Sequence, residues 1–194
     1  EILERRESFG GTWDLFRYPG IRSDSDMSTF GFNFKPWAKD KVLASGAEIK
    51  GYLSDVISEN QLKDKIHFGH RVLSANYDSA KKKWLVEVED NNKKKQTWSA
   101  NFVMGCTGYY NYDQGYAPKF PKQEDFKGQI IHPQHWPENL DYTGKKVVII
   151  GSGATAITLV PSMVKGGAGH VTMLQRSPTY IATIPSIDFI YEKT

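Results

Sequence analysis

The stretch V-V-I-I-G-S-G-A-T-A-I-T-L-V at residues 147–160, continued by V-T-M-L-Q-R-S at 171–177, decides the fold. Residues 147–150 form a continuous apolar run, as in a strand covered on both faces of a parallel sheet. The run passes directly into Gly151, Ser152, Gly153, Ala154, Thr155 and Ala156, the pattern G-x-G-x-x-A. In such a turn the first glycine allows the sharp reversal and the second lets a pyrophosphate reach the backbone. The third small residue lets helix and strand pack closely. The helix expected from Ala154 through Ile157 and beyond presents free N–H groups and a positive dipole end to phosphates. A turn of purely structural use is the alternative. The strand before and the helix after favour dinucleotide binding.

The far end of the same unit bears on which dinucleotide. An NAD-binding unit usually closes its second strand with Asp or Glu for the ribose hydroxyl. Here the strand expected at 171–174 closes with Gln175, Arg176 and Ser177. A carboxylate would repel a 2′-phosphate, whereas a guanidinium fork and a hydroxyl can hold one. The expectation is NADP(H), with Arg176 as a solvated surface charge the competing reading.

Outward from this unit, 194 residues suggest one or two domains. A net charge of +3 is mild, and the lysine runs at 81–83 and 93–95 flank an expected turn. They read as a solvated face, and no nucleic-acid partner is expected. Cys106 is the single cysteine. It excludes an internal disulfide framework and favours a reducing, cytoplasmic setting. No stretch approaches the roughly 18 apolar residues of a spanning helix. Membrane association is therefore not indicated, though a peripheral one stays open, and no metal site is read. The chain begins without methionine and is expected to be an internal fragment.

Ile2, Leu3 and Glu4 read as the last residues of a buried strand. Glu4 occupies either the slot of a ribose-binding acid or that of an exposed strand-end charge. Residues 7–47 contain few apolar repeats and read as a long ordered loop region, a feature that is usually functional. Ile49, Tyr52, Leu53, Val56 and Ile57 predict an amphipathic helix at 48–61. A short strand is expected at 66–68. An antiparallel meander is expected at 72–77, 84–88 and 96–98, with a turn at 90–92. Residues 102–106 read as another apolar strand ending in Thr107-Gly108. That dipeptide is either a second approach to a nucleotide or a plain turn. Residues 109–143 read as a linker, with the domain boundary near 143.

Phe126, Gly128, His132, Trp136 and Pro137 fit F-x-G-x-x-x-H-x-x-x-W-P, just before the glycine turn. Gly10-Gly11-Thr12-Trp13, Arg17-Tyr18-Pro19-Gly20 and Arg22-Ser23-Asp24 accompany them. In these residues the chain resembles the Baeyer–Villiger monooxygenases, within the class B flavin-dependent monooxygenases. The resemblance covers nearly the whole chain. It implies an α/β fold with two Rossmann-like dinucleotide-binding domains, one for FAD and one for NADP, both incomplete here. The first spans residues 1–143, carries the meander and lacks its first strand and glycine turn. The second spans 144–194.

The resemblance also assigns sites. Glu4 is similar to the acid that binds the FAD ribose. Gly11, Thr12, Trp13, Asp14 and Leu15 resemble the loop that passes the flavin, and Val72 the residue whose backbone meets the adenine. Arg22, Ser23 and Asp24 resemble a segment touching NADP. Asp24 also matches an active-site aspartate that pairs with the family's catalytic arginine. His132 and Trp136 are taken as hinge and positioning residues, His132 foremost as a structural histidine. The implied activity is NADPH- and FAD-dependent insertion of one atom of O2 into ketones, or oxygenation of sulfur, through a C4a-peroxyflavin. The substrate would be a small ketone or thio-compound. Three alternatives stay open. One is a flavin-containing monooxygenase acting on nitrogen or sulfur without ketone chemistry. Another is an NADPH-dependent flavin oxidase or disulfide reductase of the same two-domain plan, though a reductase would need a redox cysteine pair and Cys106 is alone. The third is an inactive, truncated NADP-binding module. The fragment alone is expected to bind FAD poorly and to be inactive.

Overall fold

A computed structural model describes residues 1–188. Residues 189–194, the end of the expected NADP-side span, lie outside the described residues. The chain divides into two compact units. One comprises Glu1–Gly11 and Leu53–Asn111, the other Thr12–Tyr52 and the chain from Tyr112 onward. This division cuts the chain elsewhere than the boundary near 143 read from the sequence.

In the first unit, β1 (Ile2–Leu3) pairs parallel with β2 (Ile66–His67). Three longer strands, β3 (Arg71–Asp78), β4 (Lys83–Glu89) and β5 (Lys95–Ala100), form an antiparallel meander in the order β3-β4-β5. The expected strands lie inside these. Alternation along β4 buries Val86 and Val88, as period-two side-chain placement requires. The β4–β5 turn is closed by Asp90, whose Oδ1 accepts the N–H groups of Asn92 and Lys94 at 2.9 Å each. Lys93 takes a φ of 63° within that turn.

Two expectations in this unit are corrected. Residues 102–106 form no strand, and Phe102 and Met104 are almost wholly exposed. An apolar run becomes a strand only where a neighbour completes its ladder of N–H and C=O groups, and no ladder forms on this segment among the described residues. Ile2, expected to be buried, is 47% exposed, because β1 is only two residues long and has a single partner.

In the second unit, the long loop region holds two single-turn helices, α1 (Thr12–Leu15) and α2 (Met27–Phe30). It leads into α3 (Gly46–Glu59), whose later residues belong to the first unit. A capping box starts α3. The Glu48 N–H donates to Ser45 Oγ at 3.3 Å, and Glu48 Oε2 accepts from the Ser45 N–H at 2.8 Å. The helix therefore begins two residues before the expected 48.

The linker at 109–143 is irregular apart from single 3-10 turns at Gln123–Asp125 and Pro133–His135. It delivers the chain to β6 (Lys146–Ile150), α4 (Ala154–Lys165) and β7 (His170–Leu174). β6 and β7 pair parallel in register from Lys146↔His170 to Ile150↔Leu174. Parallel pairing requires a crossover, which α4 supplies.

The core of this unit joins the loop region to the β6–α4–β7 segment. Phe16, Tyr18, Leu159 and Met163 are buried together, with Leu15, Ile21, Trp136, Tyr142, Val147, Ile149, Ala168 and Val171 packed around them. Burying a side chain of the Leu or Met class is worth about 1.5–3 kcal/mol, so loop, linker tryptophan and βαβ segment hold one another. The expectation that β6 is covered on both faces is corrected. Val147 and Ile149 face this cluster, whereas Val148 and Ile150 are 60% and 59% exposed. Only one layer lies over the sheet within the described residues, so only alternate residues are covered.

Candidate functional site

The site is built where β6 ends. Gly151 has a φ of +122°, a conformation that strains any residue with a Cβ. A Cβ added at Gly151 or Gly153 would meet nothing within 4 Å. The protein's own packing therefore does not explain the open space over the turn. Ala156, by contrast, is 5% exposed, as close helix–strand packing demands. Gly153 is the N-cap of α4 and supplies no side-chain cap, so side chains leave the first N–H groups of the helix uncapped.

Across from the turn lies the segment after β7. The Gly151 N–H donates to the Leu174 C=O at 2.8 Å, and the Ser152 hydroxyl donates to the Ser177 C=O at 3.3 Å. Ile150, Gly151, Ser152, Leu174, Gln175, Arg176 and Ser177 line one open cleft of about 450 Å³. The structure thus brings together the two halves of the site read from the sequence, the glycine turn and the Gln-Arg-Ser segment. Arg176 is exposed and has no ion-pair partner among the described residues. Uncapped helix N–H groups, bare glycines and a free guanidinium share one cleft, a donor set suited to a phosphorylated nucleotide.

The residues expected on the flavin side are divided between the units. In the first, Glu4 is half-buried and its Oε1 accepts the Arg6 N–H at 2.9 Å. Its backbone continues the β1–β2 pairing, with N–H to the His67 C=O at 3.0 Å. Gly11 has a φ of 51°, and Val72 is half exposed on β3 opposite Val88.

In the second unit, Thr12, Trp13, Asp14 and Leu15 form α1. Asp14 is 4% exposed and pairs with Lys50 on α3, with Arg17 Nη2 at 3.8 Å. This buried carboxylate therefore serves to fix the loop, and Lys50 is a partner the sequence did not disclose. Trp13 lies edge-on to Phe30, ring centroids 5.9 Å apart. Ser23 is buried and exchanges backbone and hydroxyl hydrogen bonds with Ala44, at 2.8 Å and 3.1 Å. Its neighbours Arg22 and Asp24 are exposed. A buried serine thus anchors a segment that presents a cation and an anion on either side.

The linker motif has structural work of its own. His132 Nδ1 accepts the Gln134 N–H at 3.2 Å and caps the turn Pro133–His135. A Cβ on Gly115 would stand 2.1 Å from the His132 ring, and one on Gly128 2.4 Å from the Phe126 ring. Trp136 packs on the Phe16–Tyr18–Leu159–Met163 core, and Pro137 follows it. These contacts tie the His132 ring into the linker turn.

Two further contacts had no local signal in the sequence. Gly20, with φ +85°, lies so close to α4 that a Cβ there would be 2.5 Å from the Thr158 C=O. Thr179 donates its hydroxyl to Ser152 Oγ at 2.7 Å. No helix among the described residues is long and apolar enough to cross a membrane. Among the described residues no group of His, Cys, Asp and Glu could hold a metal ion.

A family model described as flavin-binding monooxygenase-like matches residues 26–186. A probable FAD-binding monooxygenase, AlmA, from an Acinetobacter species is 98% identical over the whole chain. The FAD-containing monooxygenase EthA of Mycolicibacterium smegmatis is 60% identical over the same span. The chain spans 39% of the length of each of these relatives. Among solved structures, oxidized steroid monooxygenase bound to NADP superposes with a TM-score of 0.76 at 30% identity. That match covers 92% of this chain and 34% of the other.

Proposed function

The chain belongs to the flavin-binding monooxygenase-like family, and from that premise we propose that it is part of a longer NADPH- and FAD-dependent monooxygenase. The observation that carries the proposal is the shared cleft. Gly151 and Ser152 stand on one side of it and Gln175, Arg176 and Ser177 on the other. NADP(H) would lie with its pyrophosphate over the turn from Gly151 to Ile157, against the N–H groups of Ala154 and Thr155. Its 2′-phosphate would lie by Arg176 and Ser177. The names of the relatives, which specify FAD, and the NADP-bound structural neighbour support the pair of cofactors.

In this reading residues 1–143 belong to an FAD-binding Rossmann-like domain and residues 144–194 to an NADP-binding one. The rest of both lies outside this sequence. Glu4 would hold the FAD ribose. Gly11, Thr12, Trp13, Asp14 and Leu15 would pass the flavin, with the Asp14–Lys50 pair keeping that loop in place. Val72 would meet the adenine through its backbone. Bound flavin, reduced by NADPH, supplies the activation of O2 and the oxygen transfer.

The chain's own residues bind, orient and screen. Arg176 places the nucleotide by its 2′-phosphate. Ser23 anchors Arg22 and Asp24 where the nucleotide and a catalytic arginine from outside this sequence would meet them. Phe126, Gly128, His132, Trp136 and Pro137 fix the linker. The substrate would be a small ketone, giving an ester or lactone, or a thio-compound oxygenated at sulfur. A cytoplasmic location is part of the same proposal.

The test is Arg176→Ala in the full-length enzyme. Loss of a hydrogen bond to a charged group, about 1.5–3 kcal/mol, should raise KM for NADPH roughly 10- to 150-fold and leave NADH nearly unaffected. Equal effects on both nucleotides would refute the assignment.

A further inference from the structure

We propose that Thr179 is a positioning residue for the 2′-phosphate end of the nucleotide, acting through Ser152 to fasten the segment that carries Arg176. The inference rests on the NADP(H) reading of the cleft. Arg176 follows the last residue pairs of β7, where the ladder no longer fixes the backbone. Two tethers to the glycine turn bracket it. Before it, the Gly151 N–H holds the Leu174 C=O at 2.8 Å. After it, the Ser152 hydroxyl holds the Ser177 C=O at 3.3 Å.

The second tether is the longer one, and a serine hydroxyl rotates freely unless a partner sets it. Thr179 sets it. Its Oγ1–H donates to Ser152 Oγ at 2.7 Å, which occupies an acceptor site and leaves the serine proton for the Ser177 carbonyl. Pro178 stands between Ser177 and Thr179, with φ fixed by its ring and the α region disfavoured for the residue before it. The three-residue link is therefore stiff. Pinning Thr179 on the turn pins Ser177, and with it the base of the Arg176 side chain. The relay spans 25 and 27 residues of sequence, so no local pattern announces it. Neither Ser152 nor Thr179 is consumed in this role. Ser152 remains a lining residue of the cleft.

The experiment compares Thr179→Val, which keeps the shape and removes the hydroxyl, with Thr179→Ser, which keeps the hydroxyl. Both are made in the full-length enzyme. Steady-state kinetics with NADPH and NADH and equilibrium binding of 2′,5′-ADP are the readouts. Thr179→Val should raise KM for NADPH and weaken 2′,5′-ADP about fivefold, the worth of one ordinary hydrogen bond. The effect should fall on KM rather than kcat, and KM for NADH should stay the same. Thr179→Ser should restore the parent values. Adding Thr179→Val to a Ser152→Ala variant should cause no further loss, because the relay is already cut. A silent Thr179→Val, equal losses for NADPH and NADH, or full additivity with Ser152→Ala would each overturn the inference while leaving the nucleotide assignment standing. A parent enzyme that neither prefers NADPH nor binds 2′,5′-ADP would overturn the assignment itself, and this inference with it.

Discussion

Replacing Gly20 by alanine should loosen the loop region from the β6–α4–β7 segment. Gly20 has φ +85°, so an L side chain there costs about 1–2 kcal/mol of backbone strain. Its new Cβ would stand 2.1 Å from Ser162 Oγ and 2.5 Å from the Thr158 C=O. Ser162 cannot simply turn away, because its hydroxyl donates to that same Thr158 carbonyl at 2.9 Å. Overpacking of this kind costs about 1–3 kcal/mol. The sum, about 2–5 kcal/mol, is large beside a total stability of about 5–15 kcal/mol. In a domain of this size it should lower the melting temperature by roughly 4–20 °C. The assay is thermal unfolding of the full-length protein followed by circular dichroism. A Ser162→Ala background removes the hydroxyl contact and leaves the carbonyl contact and the φ, so it should recover less than half of the loss. A Gly20→Ala protein melting within about 1 °C of the parent would refute the close approach of this loop to α4.

Glu48 lies below the usual carboxylate range, at about 2, chiefly because Lys41 Nζ donates to it at 2.7 Å and then because Ser45 donates too. A carboxylate depressed on folding stabilises fully above its ordinary value of 4.5, and that contribution is lost as pH falls toward 2. Glu48→Gln should thus destabilise by about 1 kcal/mol at pH 7, with the gap to the parent narrowing in denaturant titrations from pH 5 to pH 3. A gap that widens on acidification would contradict this. Lys50→Met should remove the α3 cation paired with the buried Asp14, costing about 2 kcal/mol in urea titration. An unchanged midpoint would show that the pair does not fix α1. Asp24→Ala, at an exposed position, should leave stability within about 0.5 kcal/mol and slow turnover about a hundredfold, the lower range of an electrostatic contribution. Unchanged turnover would remove Asp24 from the mechanism.

Much of the cleft was legible because its signals are local. The apolar run at 147–150, the glycine spacing that follows and the Gln-Arg-Ser end of β7 all fall within 31 residues, and each has a single-residue reason. The meander was legible for the same cause, since period two and the Asp90 turn are short-range patterns. What escaped depends on partners distant in sequence. Continuous apolar character in 147–150 announced two covered faces, but coverage belongs to other elements, and only Val147 and Ile149 have it here. The run at 102–106 was apolar enough for a strand and lacks the neighbour that would make it one. The Lys50 partner of Asp14, the approach of Gly20 to α4 and the Thr179–Ser152–Ser177 relay join residues 25 to 142 positions apart. No periodicity carries such information.

The most direct test of the central reading is isotope tracing with the full-length protein, FAD, NADPH and 18O2, using a small ketone and a thioamide in separate reactions. The expected result is NADPH-dependent product carrying one 18O atom, with NADH a poor substitute and the Arg176→Ala enzyme failing at ordinary NADPH concentrations. NADPH consumption that yields only hydrogen peroxide, with no labelled product from either substrate, would contradict it.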